Sequence, residues 1–122
     1  MAKILIVEDN EMNMRLFSDI VKTKGHQVFE CMEGKNALQM TKEIKPDLIL
    51  MDIQMPEVDG LTATKLIRND QDVSKTKIIA VTAFAMSGDA DRILKGGVDD
   101  YISKPISIPN FLSTIEKVLQ NK

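Results

Sequence analysis

Residues 47–52 read Asp-Leu-Ile-Leu-Met-Asp (DLILMD), an apolar run that follows a Lys-Pro break and ends in an acid, Asp52. A run this short, apolar at every position, suits a strand buried on both faces of a parallel sheet; a half-exposed strand would alternate. The form recurs on either side. Lys3 to Val7 (KILIV) ends in Glu8-Asp9, and Lys77 to Val81 (KIIAV) ends in Thr82. Val28 to Cys31 and Asp100 to Ser103 are weaker strands, placed by their position in the alternation.

Between the runs the spacing becomes helical. Met14, Phe17, Ile20 and Val21 share one face of a segment ending near Lys24-Gly25. Ala37, Leu38, Thr41 and Ile44 do so before Pro46; Ala63, Leu66 and Ile67 follow Gly60. Ile93 and Leu94 precede Gly96-Gly97, and Phe111, Leu112, Ile115, Val118 and Leu119 form the last apolar face, with Pro109 in its first turn. Glycine or proline closes most of these segments, as helix stops should. Five strands alternating with five helices predict an α/β, doubly wound, five-stranded parallel sheet covered on both sides.

In open α/β sheets ligands bind beyond the carboxyl ends of the strands. The residues ending the runs are therefore the candidate site: Glu8 and Asp9, Asp52, Thr82, and Ser103-Lys104. Singly, each has an ordinary explanation, the acids as helix caps, Thr82 as a strand threonine, Lys104 as a surface lysine. Those explanations leave open why acids and a lysine should meet on one edge. Crowded carboxylates stay ionised at neutral pH only beside a compensating cation, and oxygen-only donors suit Mg²⁺. His26 falls at the far end of its strand and is expected on the surface, which leaves no zinc-type donor near. A carboxylate beside Mg²⁺ and an ammonium can attack phosphorus and hold the group as an acyl phosphate, with Mg²⁺, Lys104 and Thr82 each neutralising one oxygen. Without an evident base to activate water, a slowly lost phosphate fits better than turnover.

Other classes fit less well. Net charge is −2, the 16 basic residues are scattered, and aromatics are only 4%, so no nucleic-acid surface is expected. The N-terminal apolar run is too short for a signal peptide or a membrane span, and the single cysteine, Cys31, permits no internal disulfide. A cytoplasmic, monomeric protein without membrane insertion is expected. A small Mg²⁺-dependent aspartyl phosphatase would want a second acid where Gln54 stands. A flavin binder would want a Ser-, Thr- or Gly-rich loop where EDNEMN stands.

The segments ILIVEDN, KPDLILMDIQMPEVDG, IIAVTAFA and GGVDDYISKPI, which span essentially the whole chain, together resemble the receiver domains of two-component response regulators, the CheY-like family. The resemblance implies Asp52 as phosphoacceptor, and Asp9, Asp52 and the Gln54 carbonyl as metal ligands, with Glu8 acting through water. It implies Thr82 as the switch hydroxyl, Tyr101 as the coupled aromatic and Lys104 as the phosphate-binding lysine. A cis bond before Pro105 is also implied. The side chains of Gln54 and Phe84 fall where dephosphorylation rate is influenced. By itself, Tyr101 also reads as a half-buried strand tyrosine.

Mg²⁺, replaceable by Mn²⁺, is the implied cofactor, and a histidine kinase or histidine phosphotransfer protein and a downstream effector are the implied partners. Weak self-phosphorylation from small donors and autodephosphorylation are implied in place of enzyme turnover. NEMNMRLF, TAFAMSGD and YISKPISI resemble a subgroup of single-domain cell-cycle regulators. The 122 residues are expected to form one receiver domain with no output domain. The alternative is a receiver-like interaction module working without phosphorylation. Among the methionines most are expected in the core, with Met55 and Met86 as partner contacts.

Overall fold

The structure is a computed structural model and describes residues 2–55, 58–83 and 89–120. The elements alternate as β1 (Lys3–Val7), α1 (Glu11–Lys22), β2 (Gln27–Cys31), α2 (Ala37–Ile44), β3 (Leu48–Asp52), α3 (Gly60–Arg68), β4 (Lys77–Thr82), α4 (Asp89–Lys95), β5 (Asp100–Ser103) and α5 (Ile108–Gln120). A 3-10 turn, Gly34–Asn36, precedes α2. All strand pairs are parallel, and the sheet order is β2-β1-β3-β4-β5.

The apolar runs explain the layers. β3 and the last four residues of β1 are buried throughout, as a sheet covered on both faces requires. Period-two alternation sends Leu5, Val7, Ile49, Met51, Ile78 and Ala80 to one face, where α2, α3 and α4 cover them. Ile4, Ile6, Leu48, Leu50, Ile79 and Val81 face the other way, under α1 and α5. There Phe17 and Phe111 stack with ring centroids 5.4 Å apart, joining the two helices. Each fully buried Leu, Ile or Phe contributes roughly 1.5–3 kcal/mol from desolvation alone.

Helix starts follow local polar chemistry. The side chain of Asn10 accepts the N–H of Asn13 at 2.9 Å, and that of Asp59 accepts the N–H of Thr62 at 2.8 Å. Opposite the candidate site, Arg68 gathers the turns before β4 and β5. Its guanidinium donates to the carbonyls of Gly97 (2.8 Å), Ser74 (2.9 Å) and Thr76 (2.6 Å), and to Asp99 (3.0 Å).

Several expectations need correction. His26 is not on the surface: its side chain is 8% exposed, Nδ1 accepts the Ala2 N–H at 3.1 Å, and Nε2 lies 3.2 Å from Glu116. Met55 is buried and packs into the core, so it offers no contact surface. Leu66 and Leu94 are exposed. Gly60, Ala63, Thr64 and Ile67 form the buried stripe of α3, which leaves Leu66 on its flank. Met12 is exposed at the start of α1.

Candidate functional site

Register makes the carboxyl ends of the strands level. Val7 pairs with Met51, Asp52 with Val81, and Thr82 with Ser103. The residues just beyond therefore emerge together, and the side chains of Glu8, Asp9, Asp52 and Lys104 converge. Glu8, Asp9 and Asp52 each present a carboxylate oxygen, all within 4.8 Å of one another. Lys104 Nζ sits 3.2 Å from Glu8 Oε1 and 3.4 Å from Asp52 Oδ1.

Backbone contacts hold these groups. The N–H of Glu8 donates to Cys31 at 3.0 Å, and the N–H of Lys104 donates to Thr82 at 2.7 Å. The N–H of Asn10 donates to Glu8 Oε2 at 3.1 Å, and that of Gln54 to Asp52 Oδ1 at 3.1 Å. Glu8, Asp52 and Thr82 are buried, whereas Asp9 and Gln54 are exposed. The site is thus a pit with a buried floor and an open acidic rim. The side-chain oxygen of Gln54 reaches toward the N–H of Ala83, 3.5 Å away. Tyr101 is half-buried against the core beneath α3 and α4. The Lys104–Pro105 peptide is cis. Phe84 and Met86 lie outside the described residues.

Burial, a hydrogen bond with Glu8 and repulsion from it push Asp52 up from 3.8 to about 7, while Lys104 pulls the other way. One ammonium thus leaves the carboxylates undercompensated. Three oxygen donors with an open rim and surplus negative charge match a hard divalent cation such as Mg²⁺, and no sulfur or imidazole is among them. The second strand adds no ligand. It ends in Cys31, whose buried thiol is pushed up by desolvation and donates to the Glu33 carbonyl at 3.0 Å.

One residue of the site's frame escapes a reading by periodicity. Gly60 opens α3 directly against the Asp52 carbonyl, and its N–H donates to Ile53 at 3.0 Å. The only sequence signal is a glycine following the cap residue Asp59.

Comparison with known proteins agrees with this geometry. The family model "Response regulator receiver domain" matches residues 4–116. The polar-differentiation response regulator DivK of Brucella anthropi is 51% identical over 116 residues, 95% of this chain and 94% of that protein. DivK of Brucella ovis matches to the same extent. Among solved structures, the receiver domain of sensor histidine kinase PA1611 from Pseudomonas aeruginosa, which has a magnesium ion coordinated in its active-site cleft, superposes with a TM-score of 0.90 at 31% identity, covering 98% of each chain. The chemotaxis protein CheY4 of Vibrio cholerae gives 0.89 at 26% identity, covering 97% of this chain and 98% of its own. With acids, lysine and buried threonine on the carboxyl edge of a β2-β1-β3-β4-β5 sheet, and with these matches across its length, the chain belongs to the response regulator receiver domain family.

Proposed function

We propose that this chain is a single-domain response regulator of a two-component phosphorelay, which takes a phosphoryl group on Asp52 and signals by phosphorylation-dependent binding to another protein. The observation that carries this is the buried carboxylate of Asp52 lying between the Lys104 ammonium, at 3.4 Å, and two further carboxylates.

Asp9, Asp52 and the main-chain carbonyl of Gln54 are the proposed ligands of Mg²⁺, with Glu8 acting through water and Mn²⁺ able to substitute. When bound, the ion offsets the carboxylate charge and draws one phosphoryl oxygen. An oxygen of Asp52 attacks phosphorus in line while the bond to the donor breaks, leaving an acyl phosphate on Asp52 and releasing the donor group. The Lys104 ammonium neutralises a second oxygen, and the Thr82 hydroxyl donates to the third. The chain's single histidine, His26, lies at the far edge of the sheet, bonded to Ala2 and near Glu116. It cannot activate water at Asp52, which supports slow autodephosphorylation; weak self-phosphorylation from small donors is part of the same proposal.

Tyr101 pairs with Ala80, and Thr82 follows two positions along the same strand, so the two side chains share a sheet face. Movement of Thr82 toward the phosphoryl group opens space that Tyr101 can fill, changing the surface formed by α4, β5 and α5. The phosphodonor is a histidine kinase or histidine phosphotransfer protein, and the reader is a downstream effector. The identity with DivK supports a role in cell-cycle or polar-differentiation control, and the match over 94% of that protein supports a receiver working alone. No helix among the described residues is long and apolar enough to cross a membrane, and we place the protein's work in the cytoplasm as a monomer.

Beryllofluoride, which mimics the phosphoryl group, tests the reading through ¹⁹F NMR. A bound signal that needs Mg²⁺ and vanishes in Asp52→Asn is expected. Binding indifferent to that substitution would refute it.

A further inference from the structure

The geometry points to Gly60 as a positioning residue for the phosphoacceptor: absence of a side chain at the start of α3 lets the helix seat on the Asp52–Ile53 peptide and fix where the Asp52 carboxylate and the Gln54 carbonyl lie. This rests on the reading of Asp52 given above.

A Cβ at position 60 would lie 2.2 Å from the Asp52 carbonyl oxygen, 2.8 Å from Ile53 Cα and 2.9 Å from the Asp52 carbonyl carbon. All three are backbone atoms, so no rotamer change relieves the overlap. The requirement is for space and not for conformation, because among the described residues the glycines with positive φ are Gly25 and Gly97. The contact is also bonded. The Gly60 N–H donates to Ile53 at 3.0 Å, Asp59 caps α3 through Thr62, and the Ala63 N–H donates to the Asp59 carbonyl at 3.0 Å. The first turn of a nine-residue helix is thereby docked on the peptide that follows the phosphoacceptor.

Alanine at 60 must move that peptide by roughly 1 Å to regain ordinary contact. Mg²⁺ demands near-ideal octahedral ligand placement, and a displacement of that size at a reacting group costs up to about 100-fold. Gly34 supplies a matched comparison. A Cβ there would meet the Val58 carbonyl oxygen at 2.2 Å, an equal overlap with the same connection between β3 and α3, but its nearest atoms belong to Val58 and Met55 and not to Asp52 or Ile53.

The test compares wild type, Gly60→Ala and Gly34→Ala by thermal midpoint, Mg²⁺ titration followed by NMR, and beryllofluoride binding. Both variants are expected to melt lower. Gly60→Ala should bind Mg²⁺ at least 10-fold more weakly, and Gly34→Ala within about 2-fold of wild type. Wild-type Mg²⁺ affinity in folded Gly60→Ala, or equal weakening in both variants, would overturn the assignment. Should Gly60→Ala fail to fold, hydrogen exchange in the metal-free wild type decides. A protected Gly60 amide supports a preformed seat, and exchange as fast as in an exposed loop overturns it. Failure of wild type itself to bind beryllofluoride would instead strike the phosphoacceptor reading.

Discussion

The main-chain N–H of Lys104 donates to the carbonyl of Thr82 at 2.7 Å, so the lysine whose ammonium spans Glu8 and Asp52 is tied by its backbone to the proposed switch residue. Charge at the pit and the position of β4 are mechanically linked through that bond. The proposed motion of Thr82 toward a phosphoryl group would therefore act on a segment already joined to Lys104.

Replacing Lys104 with methionine keeps its length and removes its charge. Phosphorylation from acetyl phosphate should fall by about 100-fold, the loss typical of one charge-stabilising donor. Mg²⁺ affinity should rise several-fold, because a cation that competes for Glu8 and Asp52 has gone. A fall in both quantities would contradict the separate roles given to lysine and metal.

Asp52 makes the metal-free fold sensitive to pH. Its carboxyl is raised from 3.8 to about 7 by burial and by Glu8, so between those values the folded protein holds more protons than the unfolded chain. Stability then declines as pH rises from about 4 through about 7 and levels off above. Asp52→Asn should remove that decline and raise the metal-free thermal midpoint at pH 8 by about 5 °C or more. Saturating Mg²⁺ should stabilise wild type and leave the variant nearly unchanged, both readable by calorimetry.

Thr82 is fully buried, and its proposed hydroxyl donation serves the signal more than the chemistry. Thr82→Ala should still take up beryllofluoride within about 10-fold of wild type. The NMR resonances of the Tyr101 ring, expected to shift when wild type binds beryllofluoride, should stay near their unliganded positions in the variant. Full movement of Tyr101 without the hydroxyl would break the proposed link.

At the opposite edge, Arg68→Ala removes donors to three carbonyls and Asp99. A loss of about 2–4 kcal/mol is expected from chemical denaturation. Phosphorylation per folded molecule should be unchanged, because these contacts hold the amino ends of β4 and β5, far from Asp52.

These effects differ in how readily sequence reveals their cause. Apolar runs expose the strands because a sheet buried on both faces tolerates little else, and the residues ending the runs fall on one edge; the convergence of Glu8, Asp9, Asp52 and Lys104 was readable for that reason. Periodicity finds a helix face but not its width. Leu66 and Leu94 belong to apolar segments yet are exposed; in α3 the buried stripe is filled by Gly60, Ala63, Thr64 and Ile67. Burial of His26 depends on Ala2 and Glu116, which are 24 and 90 residues away. The space required of Gly60 and Gly34 depends on backbone from other elements, and no local pattern encodes that.

The most direct measurement is intact-protein and peptide mass spectrometry after incubation with acetyl phosphate, with and without Mg²⁺. The expected result is a single phosphoryl adduct on Asp52, formed only with Mg²⁺, stable in acid, lost in base and absent from Asp52→Asn. No adduct on the wild-type protein, or one that persists in Asp52→Asn, would contradict the account.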